Sequence, residues 1–298
     1  MVTQWRTDGV VAHPTGAETP SRSSNGANPA TQSAQWLTVG ERSDVGCAAP
    51  LANVATVKTV EERITVSGPA GDIQAIVIEP VGPRRRQGLL YYTDIFQLTE
   101  STLRTARQLA AAGFLVCLPE IYPRELAGVA LEFDDAGKKA GLDAAAHTTT
   151  AQFDADCAAM LDYLAARPDI DEIDAIGFCL GGHLAFRAAF DDRVTATVCV
   201  YPTGLHNGSL GADDPGTLAA AGAVGGRMLI IFGSNDPHVP AQARLDTINA
   251  LYAAGLEHIE LHIYSGGEHA FMRDIGPRHD PALTTLGLTE AISFLTGR

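Results

Sequence analysis

The run Gly177-Phe178-Cys179-Leu180-Gly181-Gly182 places a thiol between glycines two positions before it and two positions after it. A sharp turn from strand into helix needs tiny residues at those two places, because the strained middle residue draws the flanking backbones together. Such a nucleophile elbow holds its middle side chain out at the top of a sheet. A thiol presented in this way attacks a carbonyl carbon once a base takes its proton and an acid orients the base. The competing reading is a glycine-rich turn around a small buried cysteine. Two later segments weigh against it. Asp236 lies in Gly233-Ser234-Asn235-Asp236-Pro237-His238-Val239-Pro240 and His269 in Ser265-Gly266-Gly267-Glu268-His269-Ala270-Phe271. Each follows an apolar strand-like run, in the chain order nucleophile, acid, histidine. Asp236 could instead serve as a helix cap. Of nine histidines, His258 and His262 fall in or beside a strand, His183 follows the elbow in a helix, and His13 is near the start. His206 and His238 stay open as loop rivals to His269.

These groups need a sheet to hold them. Short apolar runs bounded by turn residues predict strands at Arg63 to Ser67, Ile73 to Ile78, Gly88 to Tyr92, Phe114 to Leu118, Ile173 to Gly177, Val194 to Tyr201, Met228 to Phe232 and Ile259 to Tyr264. Helical patterns fall between them at Ser101 to Ala112, Thr150 to Ala166, Gly181 to Phe190, Pro240 to Ala254 and Pro281 to Leu295. The stretch Leu126 to Thr149 has weak periodicity and reads as an excursion over the active-site face. The expected fold class is α/β, a single doubly wound, mostly parallel sheet of about eight strands flanked by helices, the α/β-hydrolase fold.

Residues 1–50 are polar, aperiodic and rich in Ser, Thr, Asn, Gly, Ala and Pro, which predicts a disordered extension before a single domain over 51–298. A net charge of −14 excludes a general nucleic-acid binder, which needs a basic face to neutralise phosphates. Without a long apolar run or a signal-like start, no membrane association and a cytoplasmic location are expected. Five scattered cysteines without a C-x-x-C pair fit neither a disulfide framework nor a zinc site. No metal, nucleotide or flavin motif appears, so no cofactor is expected, and the state expected is a monomer or weak homo-oligomer.

The segments G-F-C-L-G-G, N-D-P-H-V-P and E-H-A-F-M-R, in this order, resemble the three signature regions of the dienelactone hydrolases, in which cysteine replaces the usual serine. Leu118-Pro119-Glu120-Ile121-Tyr122-Pro123-Arg124 is similar to a further family segment, and the likeness covers residues 60–296. The resemblance implies that Cys179 attacks a lactone carbonyl, His269 shuttles the proton and Asp236 orients the imidazole. It implies an oxyanion hole from the backbone N–H groups of Leu180 and Ile95. Arg124 and Arg273 fall where the family places arginines that grip a substrate carboxylate, implying a small anionic lactone or ester as partner. Asp94 stands where the family commonly carries a glutamate that acts on the resting thiol, one methylene shorter here. Tyr92 and Tyr201 lie near strand ends facing the same region and are candidate substrate contacts. Two other functional classes compete: a different thiol-dependent esterase, thioesterase or acyltransferase, and a non-enzymatic binder or redox sensor built around Cys179. Turnover of an activated aryl ester separates the second class from the enzymes.

Overall fold

The computed structural model describes residues 57–213 and 216–297; the expected extension over residues 1–50 lies outside the described residues. The strands are β1 (Thr59–Gly68), β2 (Gly71–Pro80), β3 (Gln87–Tyr92), β4 (Leu115–Pro119), β5 (Glu172–Phe178), β6 (Val194–Val200), β7 (Arg227–Gly233) and β8 (Ile259–Tyr264). The helices are α1 (Glu100–Ala111), α2 (Asp135–His147), α3 (Thr150–Ala165), α4 (Leu180–Ala188), α5 (Ala241–Ala253) and α6 (Pro281–Leu295). All strands join one sheet in the order β1-β2-β4-β3-β5-β6-β7-β8. The pairs β1 with β2 and β2 with β4 are antiparallel, and every other pair is parallel. This is the α/β-hydrolase architecture expected from the alternation of apolar runs.

Strands β3, β4, β5, β6 and β7 read as nearly unbroken buried apolar segments, as strands covered by helices on both faces must. The long first hairpin differs: β1 is half exposed and starts four residues earlier than its apolar pattern suggests. Its extra length is mostly polar and exposed, though it pairs fully with β2, which apolar periodicity does not register.

The chain places β4 on one side of β3 and β5 on the other, so the carboxyl ends of β3 and β5 meet at a topological switch point. Open α/β sheets leave a crevice there for ligands. The loop carrying Asp94 and Ile95 leaves β3 at this crevice, and the cysteine turn leaves β5.

The excursion before Thr149 contains a helix that the sequence pattern did not reveal. Asp134 caps α2 by accepting the Gly137 N–H at 2.7 Å. The buried face of α2 consists of Gly137, Gly141, Ala144 and Ala145, so the helix packs through backbone proximity and leaves no stripe of large apolar residues to detect. Among the described residues, no helix is long and apolar enough to cross a membrane.

Candidate active site

Cys179 joins β5 to α4 with φ 59° and ψ −122°, a conformation that costs roughly 1–3 kcal/mol for a residue with a side chain. Three backbone hydrogen bonds impose it. The Cys179 N–H donates to Val200 O at 3.1 Å, and its carbonyl accepts from the N–H groups of Gly182 at 3.0 Å and Thr203 at 3.2 Å. A methyl group on Gly177 would overlap the Gly181 carbonyl oxygen, and one on Gly181 would overlap the carbonyl oxygens of Tyr92 and Thr93. The glycine spacing in the sequence is therefore a record of two backbones in contact.

Asp236 sits in the loop between β7 and α5. Its Oδ1 accepts the His238 N–H at 2.8 Å and its Oδ2 lies 2.8 Å from His269 Nδ1. The loop is tied from two sides. Arg244 on α5 is buried and donates to the carbonyl oxygens of Gly233 at 3.2 Å, Val239 at 2.7 Å and Ser234 at 3.3 Å. On the other side the Asn235 N–H donates to Gly267 O at 2.9 Å, joining the Asp236 loop to the His269 loop. Side chains at Gly233 and Gly267 would push these loops apart. Arg244→Met removes a buried set of charge-assisted bonds and is expected to cost roughly 2–4 kcal/mol, seen as a melting temperature lower by about 5–10 °C. An unchanged melting curve would show that the loop is held without it.

The imidazole of His269 completes the row, with Nε2 3.1 Å from Cys179 Sγ. Cys179, His269 and Asp236 are 9 %, 6 % and 3 % exposed, so the charges in this row interact with little screening by water. Burial opposes a charge on His269, but the neighbouring Cys179 charge and the Asp236 carboxylate outweigh it and push the imidazole up to about 9. Burial also opposes the charge on Asp236, yet the His269 hydrogen bond and charge hold its carboxyl below the usual range. The edge of Tyr201 packs against the His269 ring at 5.3 Å and fixes its plane.

This arrangement predicts a pH dependence of definite sign. The folded His269 pKa lies above the ordinary value of about 6.5, so the stabilisation of its charged form is complete below that value and is lost as pH rises through about 9. A falling limb in kcat/KM with an apparent pKa near 9 is expected, and Asp236→Asn should move it to lower pH. A profile flat to pH 10 would remove His269 from the reaction.

The thiol opens into a cavity of about 590 Å³, lined among others by Asp94, Ile95, Leu180, His206, His238 and Arg273. The N–H groups of Ile95 and Leu180 have no acceptor among the described residues. Of the rival histidines, His238 stacks edge-on to His269 at 4.5 Å and His206 lines the cavity with a buried, unpartnered Nδ1, but the ring that meets the thiol is that of His269. His183 is enclosed, bonds Thr203 O and Thr217 Oγ1, and is pushed by burial down to about 3, a neutral structural residue.

The model of the dienelactone hydrolase family matches residues 73–297, spanning every element that builds this row. The chain belongs to the dienelactone hydrolase family. A Saccharomyces cerevisiae protein provisionally named a carboxymethylenebutenolidase is 34% identical over 66% of this chain and 75% of its own length. The carboxymethylenebutenolidase of Pseudomonas sp. strain P51 is 28% identical over 72% of this chain and 86% of that protein. A solved Klebsiella pneumoniae structure, provisionally described as a dienelactone hydrolase, shares the fold with a TM-score of 0.69 at 20% identity, over 81% of this chain and 100% of that one. The chain is thus a carboxymethylenebutenolidase-like hydrolase.

Within this family member, the remaining residues singled out from the sequence separate into two groups. Asp94 and Arg273 reach the cavity, where they pair with each other, Arg273 Nη1 to Asp94 Oδ2 at 3.2 Å. Asp94 Oδ1 also accepts the Phe96 N–H at 3.0 Å, and the Arg273 guanidinium lies over the rings of Phe133 and Phe96 at 4.6 and 5.1 Å. Burial pushes the Asp94 carboxyl up, against the lowering effect of Arg273. In this structure the thiol bonds His269, while the Asp94 carboxylate bonds Arg273 and the Phe96 N–H.

The Arg124 guanidinium is engaged by Asp156 of α3 through both Nη atoms, and it is absent from the cavity wall. Tyr92 also points away, its enclosed hydroxyl beside the Cys157 thiol of α3. Tyr201 stands behind His269 and Phe271 and does not line the cavity. The cavity wall instead includes Lys138 and Arg278, which sequence reasoning passed over because one sits in the unrecognised helix α2 and the other in an irregular loop.

Proposed function

We infer that this hydrolase opens a lactone, or cleaves an ester, by nucleophilic attack of Cys179 on the carbonyl carbon. The observation that carries this reading is the hydrogen-bonded row Asp236, His269, Cys179, opening on a cavity beside two backbone N–H groups that lack acceptors. In the first half-reaction the Cys179 proton passes to His269 Nε2 and the sulfur forms a bond to the carbonyl carbon. The oxygen charge that develops is stabilised by the N–H groups of Leu180 and Ile95. Collapse of the tetrahedral species breaks the bond to the ring oxygen, which takes the proton held on His269 Nε2. The products are a thioester on Cys179 and a free hydroxyl or enol on the same molecule. In the second half-reaction His269 removes a proton from water, the hydroxide adds to the thioester carbonyl, and the sulfur leaves as thiolate. Asp236 keeps Nδ1 protonated throughout, so that Nε2 faces the sulfur, and stabilises the imidazolium.

Asp94 has a supporting part in this scheme. By accepting the Phe96 N–H it shapes the turn that carries Ile95, and by pairing with Arg273 it binds that turn to the His269 loop. The relatives' description as carboxymethylenebutenolidases supports an enol-lactone with a pendant carboxylate as the substrate class. The test is hydrolysis of a carboxymethylene-butenolide, followed by loss of diene absorbance, beside release of 4-nitrophenol from 4-nitrophenyl butyrate. Steady turnover of the lactone supports the reading. A single stoichiometric release of nitrophenol without turnover of either compound would reduce Cys179 to a reactive thiol.

A further inference from the structure

Among the described residues Asp94 is the one carboxylate lining the cavity, and Arg273 already neutralises it. Two further cations, Lys138 on α2 and Arg278 in the loop before α6, line the same cavity, and their side chains have no hydrogen bond or ion pair with any described residue. That is unlike the general use of arginine in this acidic chain. Arg84 pairs with Glu79, Arg104 with Asp274, Arg107 with Glu61 and Arg193 with Asp191. Arg124 is committed to Asp156 and cannot turn to a substrate without abandoning a part-buried carboxylate. The charges of Lys138 and Arg278 both reach His238, which burial and the neighbouring His269 already hold below its ordinary pKa. His238 therefore adds no competing charge of either sign, and among the described lining residues Lys138, Arg273 and Arg278 outnumber the single carboxylate Asp94, on a protein of net charge −14.

A pair of uncommitted cations beside a nucleophile raises the local concentration of anions and aligns them. We propose that Lys138 and Arg278 are the specificity-determining anion grip of this active site, and that they select ester and lactone substrates bearing a carboxylate away from the scissile carbonyl. This rests on the hydrolase reading above and assigns its carboxylate to different side chains than the family resemblance does. Lys138 is exposed and Arg278 half-buried, so water and salt weaken each contact. The pair together is expected to favour an anionic over a matched neutral substrate about tenfold at low salt.

The experiment compares 4-nitrophenyl hydrogen glutarate with 4-nitrophenyl butyrate, of similar length and differing in the terminal carboxylate. The ratio of kcat/KM for the anionic to the neutral ester is measured in the parent, in Lys138→Met with Arg278→Met, and in Arg124→Met. The ratio should fall about tenfold in the double variant, chiefly through KM, and 0.5 M sodium chloride should lower it in the parent. In Arg124→Met it should keep the parent value. A double variant whose ratio stays within twofold of the parent overturns the proposal, as does a fall confined to Arg124→Met. The hydrolase reading fails separately, by turnover that persists in Cys179→Ala. Protection of Cys179 from iodoacetamide by free glutarate reads the same grip without turnover: it should weaken about tenfold in the double variant, and equal protection in both proteins also overturns the proposal.

Discussion

Cys179→Ala is expected to lose hydrolysis by a factor of ~10⁴ or more in kcat, while alanine at Cys117, Cys157 or Cys199 leaves turnover nearly intact. The difference follows from where each sulfur lies. Cys117 in β4 and Cys199 in β6 are fully buried in the apolar core, and burial pushes the Cys117 thiol up to about 12 and that of Cys199 higher still. Cys157 on α3 is likewise pushed up to about 12 by burial. None of the three can supply thiolate at neutral pH. Cys179 alone among the described cysteines has an imidazole within hydrogen-bond distance and a cavity in front of it. Because Cys179 and His269 act as one unit, Cys179→Ala with His269→Ala should be little worse than either change alone. The measurement is steady-state hydrolysis of the butenolide and of 4-nitrophenyl butyrate, with folding checked by circular dichroism. Substantial residual turnover in folded Cys179→Ala would end the mechanism.

The second large effect is expected at a residue with no side chain. Gly141 on α2 lies against the backbone of Ile95, and a methyl group there would overlap the Ile95 carbonyl oxygen. Ile95 belongs to the loop whose N–H is assigned to the oxyanion. Gly141→Ala must therefore displace either the helix or that loop, because the obstructing atom is backbone and cannot rotate aside. Loss of one oxyanion donor costs about 10²- to 10³-fold in kcat, and a displaced donor should cost on the order of ten- to hundred-fold. KM should change far less, since the contact matters most when charge develops on oxygen. A general loss of packing would instead lower the melting temperature and leave kcat of the folded fraction unchanged. Gly137→Ala, one turn earlier, is the comparison: its methyl would meet Glu132, outside the oxyanion loop, and it should affect stability more than kcat.

The elbow was legible in the sequence because its cause is partly local. Gly177 is demanded by the carbonyl of Gly181 four positions on, inside the turn that holds Cys179 at φ 59°, while Gly181 is demanded by the backbone of Tyr92 and Thr93 that β3 brings alongside. The order cysteine, aspartate, histidine was legible too, since each residue follows a strand in a sheet whose carboxyl edge faces one way. The alternation of apolar runs carried the fold for the same reason: burial on both faces of parallel strands leaves a continuous apolar signature.

The charged contacts around the cavity depend on partners far apart in the chain, and sequence spacing is silent about them. Arg124 has Asp156 within reach because α3 packs beside the loop after β4, and no sequence spacing announces that pair. Arg273 meets Asp94 across 179 positions. Adjacent tyrosines show the same limit on a smaller scale. Side chains alternate faces along a strand, so Tyr91 stacks on Phe178 while Tyr92 lies beside Cys157, and the identity of the residue does not say which face holds the cavity. Helix α2 escaped notice because its buried face is glycine and alanine. That same smallness lets it touch the Ile95 loop and carry Lys138 to the rim of the cavity, so the least visible element in the sequence shapes the pocket that the most visible one serves.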